Sequence, residues 1–130
     1  MLNRIILMGR CGNDPELKTT PNGVEFTTVN LAVDRDRKDA DGNRQTDWIT
    51  VIAWRHTAKF LVSYFNKGRM AVVEGSLQMR KWTDKDGNKR TSAEVVAENV
   101  YFGDTKTDGI TAPQKPVFED VTEDDPELPF

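Results

Sequence analysis

The sequence has little of what metal sites, disulfides and membrane spans require. Its only cysteine, Cys11, excludes an internal disulfide and favours a reducing compartment. Its only histidine, His56, has no cysteine or second histidine near it in sequence, which argues against a metal site and a histidine-based catalytic triad. No apolar run approaches the length that crosses a bilayer, and the first residues lack the pattern of an export signal. We therefore expect a cytoplasmic protein away from membranes, with no cofactor, no metal and no enzymatic activity.

Charge is distributed unevenly along the chain. Residues 1–103 carry 16 Lys and Arg against 13 Asp and Glu, whereas residues 104–130 carry 2 against 8. The first segment can attract a polyanion although the whole chain has a net charge of −3, because a partner responds to the local field. The second segment is rich in acids, Thr and Pro and has no helix or strand period. We predict one domain over 1–103 and a disordered acidic tail over 104–130.

The patterns of the domain predict five strands and one helix. Strands are predicted by β-branched, alternating or continuously apolar segments at 4–10, 24–34, 46–54, 70–82 and 91–102. A helix is predicted over 57–67, where the apolar residues fall on one helix face: Ala58, Leu61, Val62 and Phe65. A helix between the third and fourth of five strands is the order of an OB-fold, an all-β Greek-key barrel.

The tryptophans lie on the sides of their strands that face away from the apolar residues. Trp48 and Trp54 point to the same side of the third strand, because side chains alternate, and they are about 20 Å apart. Trp82 shares a polar side of the fourth strand with Arg80. The opposite side of that strand is apolar and consists of Val73, Gly75, Leu77 and Met79. Further cations surround Trp82 in sequence: Lys81, Lys85, Lys89 and Arg90.

Exposed aromatic rings among cations suit single-stranded nucleic acid, which offers both base faces and phosphates. Stacking a base on an aromatic side chain contributes roughly 1–3 kcal/mol, and Lys and Arg add salt-dependent phosphate contacts. A single tryptophan on a strand more often belongs to a core, and Trp48 and Trp54 would equally suit a subunit interface. Trp82 fits a core least well because of its charged neighbours. The three together favour binding.

Three long segments and the C-terminus resemble the bacterial and phage single-stranded DNA-binding protein (SSB) family. The family's first strand and loop resemble LNRIILMGRCGNDPELKTTPNG, and its third strand and helix resemble DWITVIAWRHTAKFLVSYFNKG. Its last two strands resemble VVEGSLQMRKWTDKDGNKRTSAEVVAENV, and its acidic tip resembles DDPELPF. The resemblance covers residues 2–102 and the tip. It implies an OB-fold homotetramer, with the first strand near a subunit contact, that binds and protects single-stranded DNA without sequence preference.

The resemblance also implies which residues bind DNA. Trp48, Trp54 and Trp82 match the stacking positions. The basic contacts implied are Arg4, Lys18, Lys67, Arg80 and Lys81, to which we add Arg55 beside Trp54. His56 stands where some members carry a lysine. Members often have another aromatic residue after the second strand, where this chain has Arg35 and Arg37. Either that stack is lost, or the plane of an arginine partly replaces it.

The acidic tip is implied to recruit partner proteins of DNA replication, recombination and repair, in the cytoplasm and at the nucleoid. The residues predicted to dock a partner are Asp124, Asp125, Leu128, Pro129 and Phe130. A terminal Phe can fill an apolar pocket while carboxylates meet Arg or Lys. The tail could instead serve only to keep the protein in solution.

Two other functions remain open from the sequence. The chain could be an OB-fold module that binds RNA or tRNA, which competition between oligo-dT and oligo-U would distinguish. It could also be a protein-interaction subunit of a replication complex, with the tryptophans inside an interface. Buried tryptophans would favour that second alternative. The segment 34–47, nearly balanced in charge, suits a solvated hairpin loop as well as a DNA contact.

Overall fold

The computed structural model describes residues 1–104. The strands are β1 (Ile5–Cys11), β2 (Lys18–Thr19), β3 (Glu25–Lys38), β4 (Arg44–Trp54), β5 (Met70–Thr83) and β6 (Lys89–Phe102). One helix, α1 (Arg55–Tyr64), connects β4 to β5. The five predicted strands and the helix between the third and fourth are all present. One further strand, β2, has only two residues and lies in the loop after β1. The predicted tail and its tip lie outside the described residues, apart from Asp104.

The five long strands close into a barrel. The sheet order is β1-β5-β6-β4-β3-β2, and β1 pairs additionally with β3. The strand β1 therefore bridges the two ends: it pairs with β5 from Ile5 to Arg10 and with β3 at Arg10 and Cys11. The pairing of β4 with β6 is parallel, whereas the other pairings are antiparallel. This topology confirms the predicted OB-fold barrel.

Alternate residues of the strands fill the inside of the barrel. Residues at most 2% exposed include Val29 and Leu31 of β3, Val51 and Ala53 of β4, Val73 of β5 and Val95 of β6. Val51 and Ala53 lie on the side of β4 away from Trp48 and Trp54, as the alternation of that strand predicted. The hydroxyl of Thr27 is also buried and has no hydrogen-bond partner within residues 1–104.

The helix α1 packs against β3, β4 and β6. Its predicted apolar face is confirmed, since Ala58, Leu61 and Phe65 are at most 4% exposed and Val62 is half-buried. The predicted bounds of 57–67 were shifted. The helix begins at Arg55, which has a φ of 56°, and ends at Tyr64 because Phe65 returns to extended backbone. The N–H of Phe65 still donates to the Leu61 carbonyl oxygen, so its ring stays in the core.

Two hairpins extend from the barrel as arms, which we call the β3–β4 arm and the β5–β6 arm. Both end in the sequence Asp-x-Asp-Gly-Asn, at 39–43 and 84–88. In each tip the first Asp accepts hydrogen bonds from the N–H groups two and four residues later. Gly42 and Gly87 supply the positive φ that these tight tips need, 84° and 83°. The segment 34–47 is thus mostly strand, and the solvated loop expected there is confined to its tip.

The apolar side of β5 is only partly buried, because the strand leaves the barrel. Val73 is 2% exposed and Gly75 is also buried, but Leu77 and Met79 in the arm are 42% and 60% exposed. The exit point has a register shift between Glu74 and Gly75. A Cβ at Gly75 would lie 1.9 Å from the Val96 carbonyl oxygen, so only glycine fits this bend.

Three further findings concern residues 1–104 alone. Cys11 is buried, and this burial raises the pKa of its thiol to about 11, so it stays protonated near neutral pH. No helix in this part of the chain is long and apolar enough to cross a membrane. The same residues contain no cluster of three His, Cys, Asp or Glu side chains that would suit a metal ion.

Candidate nucleic-acid interface

All three tryptophans lie on the outer side of four neighbouring strands. Cross-strand partners run in a row from β5 through β6 and β4 to β3: Gln78, Glu94, Thr50 and Asn30. Trp48 and Trp54 share the outer side of Thr50 on β4, and Trp82 shares that of Gln78 on β5, because each is an even number of residues away. The exposed fractions of Trp48, Trp54 and Trp82 are 66%, 37% and 39%. None of these rings belongs to the barrel core.

The ring of Trp48 lies against the backbone of Gly12, in the turn after β1. A Cβ added at Gly12 would be 2.6 Å from Cζ3 of Trp48 and 2.8 Å from the Asn30 carbonyl oxygen. The N–H of Gly12 donates to that same oxygen at 2.7 Å, which fixes the turn against β3. The absence of a side chain at Gly12 thus makes room for the ring. Sequence reasoning missed this residue, since no local pattern brings it to Trp48.

Trp54 is supported by Phe26, its cross-strand partner on β3. The ring centroids are 5.3 Å apart and the planes are tilted by 38°. Lys18 of β2 is in turn the partner of Phe26, so Lys18, Phe26 and Trp54 form one row on the outer side. Lys18 and Trp54, which the resemblance implies separately, therefore lie on either side of Phe26. Phe26 was missed, although its alternation with buried Thr27 could have placed it outside.

Trp82 is held by a hydrogen bond from its indole Nε1–H to the Ser92 hydroxyl oxygen, at 2.7 Å. Two arginines flank it on the outer side of the β5–β6 arm. Arg80 donates from Nε to a Glu94 carboxylate oxygen at 2.9 Å, and Arg90 donates likewise to Asp84 at 2.9 Å. The hydrogen bond from Arg90 is the main reason that the pKa of Asp84 is lowered. Ser92 and Glu94 were missed because their roles depend on the strand register.

Four of the predicted basic residues take part in no ion pair within residues 1–104: Lys18, Arg55, Lys67 and Lys81. Arg55 is exposed and directly follows Trp54. The backbone N–H of Lys67 donates to Asp14 at 2.7 Å, which places Lys67 beside the turn that carries Gly12. Lys81 is one residue from Trp82, so its side chain lies on the reverse side of the β5–β6 arm.

Arg4 lies apart from the three tryptophan rings, because carboxylates of β5 and β6 hold its side chain. It precedes β1 and forms ion pairs with Glu98 and with Glu74, the latter at 3.6 Å. Arg80 is similarly paired with Glu94. A phosphate must therefore displace or share a carboxylate to reach either guanidinium group.

Arg35 and Arg37 of the β3–β4 arm differ in whether a carboxylate holds the side chain. Arg35 donates from Nε and Nη2 to both carboxylate oxygens of Asp47, each at 3.0 Å, and this hydrogen bonding lowers the pKa of Asp47. Arg37 forms no ion pair and no side-chain hydrogen bond to residues 1–104. Of the two, Arg37 is therefore the better candidate to stack in place of the missing aromatic residue.

The contact of Gly12 with Trp48 generates a prediction. In a variant whose other tryptophans are replaced by Phe, Gly12→Ala should shift the emission of Trp48, because the new methyl group and the ring cannot occupy the same place. Overpacking of this kind should also cost about 1–3 kcal/mol of stability. Gly23→Ala, in an open turn without a ring nearby, is the control and should leave the emission unchanged. Unaltered Trp48 emission in Gly12→Ala would contradict the contact.

Known proteins match both the sequence and the barrel. The profile of the Single-strand binding protein family matches residues 2–103. A single-stranded DNA-binding protein of Oceanobacillus iheyensis is 43% identical over 106 residues, which are 82% of this chain and 66% of that protein. Single-stranded DNA-binding protein 2 of Staphylococcus aureus strain COL is 39% identical over 139 aligned positions, covering the whole of both chains.

A solved structure shares the fold. It is described as a Plasmodium falciparum SSB complex with ssDNA, and it superposes with a TM-score of 0.70 at 29% sequence identity. The superposition covers 80% of this chain and 96% of that one. The sequence profile and the barrel thus lead to the same assignment over nearly all of the described residues. This chain belongs to the single-strand binding protein family.

Proposed function

We propose that this protein binds single-stranded DNA without sequence preference by stacking bases on Trp48, Trp54 and Trp82. The observation that carries the proposal is the exposure of all three rings on the outer side of β3, β4, β5 and β6. Every base has a flat face, so stacking tolerates any sequence. The similar P. falciparum SSB was solved in complex with ssDNA, which supports the same ligand for this barrel.

Lys and Arg side chains bind the phosphates of the DNA strand before its bases stack on the rings. Lys18 and Arg55 are neighbours of the row that contains Trp54, and Lys67 lies beside the turn that carries Gly12. None of the three has a carboxylate partner within residues 1–104. They are available to phosphates at once, whereas Arg4 and Arg80 must first exchange their carboxylates. A DNA strand that passes around the β5–β6 arm would also reach Lys81. No covalent bond forms or breaks in this mechanism, and no cofactor takes part.

Sequence-independent coating suits the processes that expose single strands. Replication, recombination and repair all separate the duplex, and stacked bases are shielded from nucleases and from re-pairing. This role places the protein in the cytoplasm, at the nucleoid.

The stacking role predicts the effect of removing single rings. Trp54→Ala and Trp82→Ala should each weaken oligo-dT binding by roughly 1–3 kcal/mol, because one stacking platform is lost. Fluorescence anisotropy with labelled oligo-dT, alongside thermal melts, measures affinity and folding on the same samples. Trp→Phe at each position keeps a ring and should lose less.

Two controls define the outcome. Tyr64→Ala removes an exposed ring from α1, away from the four-strand outer side, and should leave affinity unchanged. Oligo-U should compete less well than oligo-dT if DNA is the preferred ligand. Affinity equal to the parent protein in both Trp→Ala variants would refute the stacking role.

We further propose that the protein assembles as a homotetramer, with β1 at a subunit contact. An exposed apolar row crosses β1, β5 and β6 through the partners Met8, Val72 and Tyr101. Met8 and Tyr101 are each 53% exposed, and Ile6 beside them is 67% exposed. Apolar groups clustered in this way are typical of surfaces that associate. The row lies on the same face of β5 as Glu74, which pairs with Arg4.

Native mass spectrometry tests the assembly. The full chain should give a mass of four copies, and Met8→Glu should shift it to smaller species because a charge would be buried in the contact. A parent protein that stays monomeric at micromolar concentration would contradict the proposal. Lys85→Glu, at the tip of the β5–β6 arm, is the control for a change of charge alone.

The acidic tip is proposed to recruit proteins of replication, recombination and repair. Asp104, the last described residue, accepts a hydrogen bond from Arg69 at 3.3 Å, which fixes the point from which the proposed tail would start. A flexible segment of about 25 residues has a typical end-to-end distance of roughly 25–30 Å. A docked partner would therefore stay close to the bound strand.

Deletion of residues 128–130 should abolish capture of such partners and leave oligo-dT affinity unchanged. Affinity pull-down from a bacterial lysate, with the full chain as reference, measures the first effect, and anisotropy measures the second. Phe130→Ala should reproduce the deletion, because the terminal ring fills the partner's pocket. Undiminished capture by both variants would show that the tip is not the docking element.

A further inference from the structure

We infer that Ser92 is a positioning residue for base stacking: its hydroxyl holds the Trp82 indole in the orientation that receives a base. The inference rests on the proposed function. The register of the β5–β6 arm brings this serine to the ring.

Ser92 and Trp82 are diagonal neighbours across the arm. Ser92 is the direct partner of Arg80, and Trp82 is the direct partner of Arg90, two residues along each strand. Diagonal side chains on one side of a hairpin are within reach of a large ring. The indole Nε1 reaches the Ser92 Oγ at 2.7 Å, a short hydrogen bond.

This hydrogen bond satisfies the only polar atom of the ring. Indole has one donor and no acceptor, so once the Ser92 hydroxyl oxygen accepts the hydrogen bond from the indole N–H, the ring has no hydrogen-bonding group left for a base. The bond also restricts rotation about both side-chain torsions of a residue that is 39% exposed. Trp82 can then interact with a base only through the face of its ring, and the ring is held in one orientation. Such a ring suits a site that binds every base alike.

The same diagonal recurs on both sides of the ring. Arg80 reaches diagonally to Glu94, and Arg90 reaches diagonally to Asp84, each at 2.9 Å. Three consecutive diagonal pairs therefore fix a guanidinium group, an indole ring and a second guanidinium group along one side of the arm. Ser92 is the central member, and it is the one whose partner is the ring itself.

A preset ring binds more tightly than a mobile one, because less side-chain freedom is lost when the base arrives. Immobilisation of one such side chain typically changes affinity by about two- to tenfold. Ser92→Ala should weaken oligo-dT binding by a factor in that range. The effect should be smaller than that of Trp82→Ala, since the ring remains.

Two β-branched substitutions separate the hydroxyl from the shape of the residue. Ser92→Thr keeps the hydroxyl and should retain affinity. Ser92→Val introduces a side chain of nearly the same shape as threonine but without the hydroxyl, and it should behave like Ser92→Ala. Thr91→Ala, on the reverse side of the arm opposite Lys81, is the positional control and should change nothing.

The decisive test combines affinity with the ring's own signal. Trp82→Phe keeps a ring but has no N–H, so Ser92→Ala in that background should cause no further loss of affinity. In parallel, the Trp82 indole ¹H–¹⁵N resonance of the full chain should exchange slowly with solvent in the parent and in Ser92→Thr, and faster in Ser92→Ala and Ser92→Val.

Each outcome supports or overturns the inference. Full affinity in Ser92→Ala, with lowered affinity in Trp82→Ala, would overturn it and leave the proposed function standing. An equal loss from Ser92→Ala in the parent and in the Trp82→Phe background would also overturn it, because the effect would not pass through the indole N–H. Full affinity in Trp82→Ala would instead remove Trp82 from the proposed function.

Discussion

The alternation of side chains along β4 and β5 is the constraint on which the outer surface depends. The barrel closes only if residues such as Val51, Ala53 and Val73 face inward, where they are at most 2% exposed. Strand geometry then directs Trp48, Trp54 and Trp82 outward. The three rings stay partly exposed although each has a supporting neighbour, so part of each ring is open to a ligand. The same alternation that builds the core therefore creates the binding surface.

Each ring is supported by a different neighbour, and this explains what the sequence could and could not reveal. The outward direction of the rings followed from local alternation, as did the barrel and the helix. Gly12, Phe26 and Ser92 contact the rings through strand register and a turn, which one sequence does not show. The β3–β4 arm was underestimated, because its strand extensions at 35–38 and 44–45 are polar on both sides and carry no core pattern. The helix ends depended on backbone angles at Arg55 and Phe65.

Ion pairs on this surface orient the arginine side chains and leave less unpaired positive charge to attract DNA. Arg80 and Arg90 are each held by a carboxylate across the β5–β6 arm. Exposed pairs of this kind contribute little to stability, but they order long side chains before a ligand arrives. Binding should therefore depend on salt less steeply than the total of cations suggests, at about −0.7 in log affinity per phosphate neutralised. The sequence gives no means of telling paired from unpaired arginines.

Quenching of tryptophan emission by acrylamide, with and without saturating oligo-dT, tests the central claim most directly. Acrylamide is neutral, so it reports access to the rings and is indifferent to the surrounding cations. The account predicts efficient quenching of the free assembly and strong protection once DNA is bound. Rings that are already inaccessible before DNA is added would contradict it, because they would then be covered by protein in the assembled state.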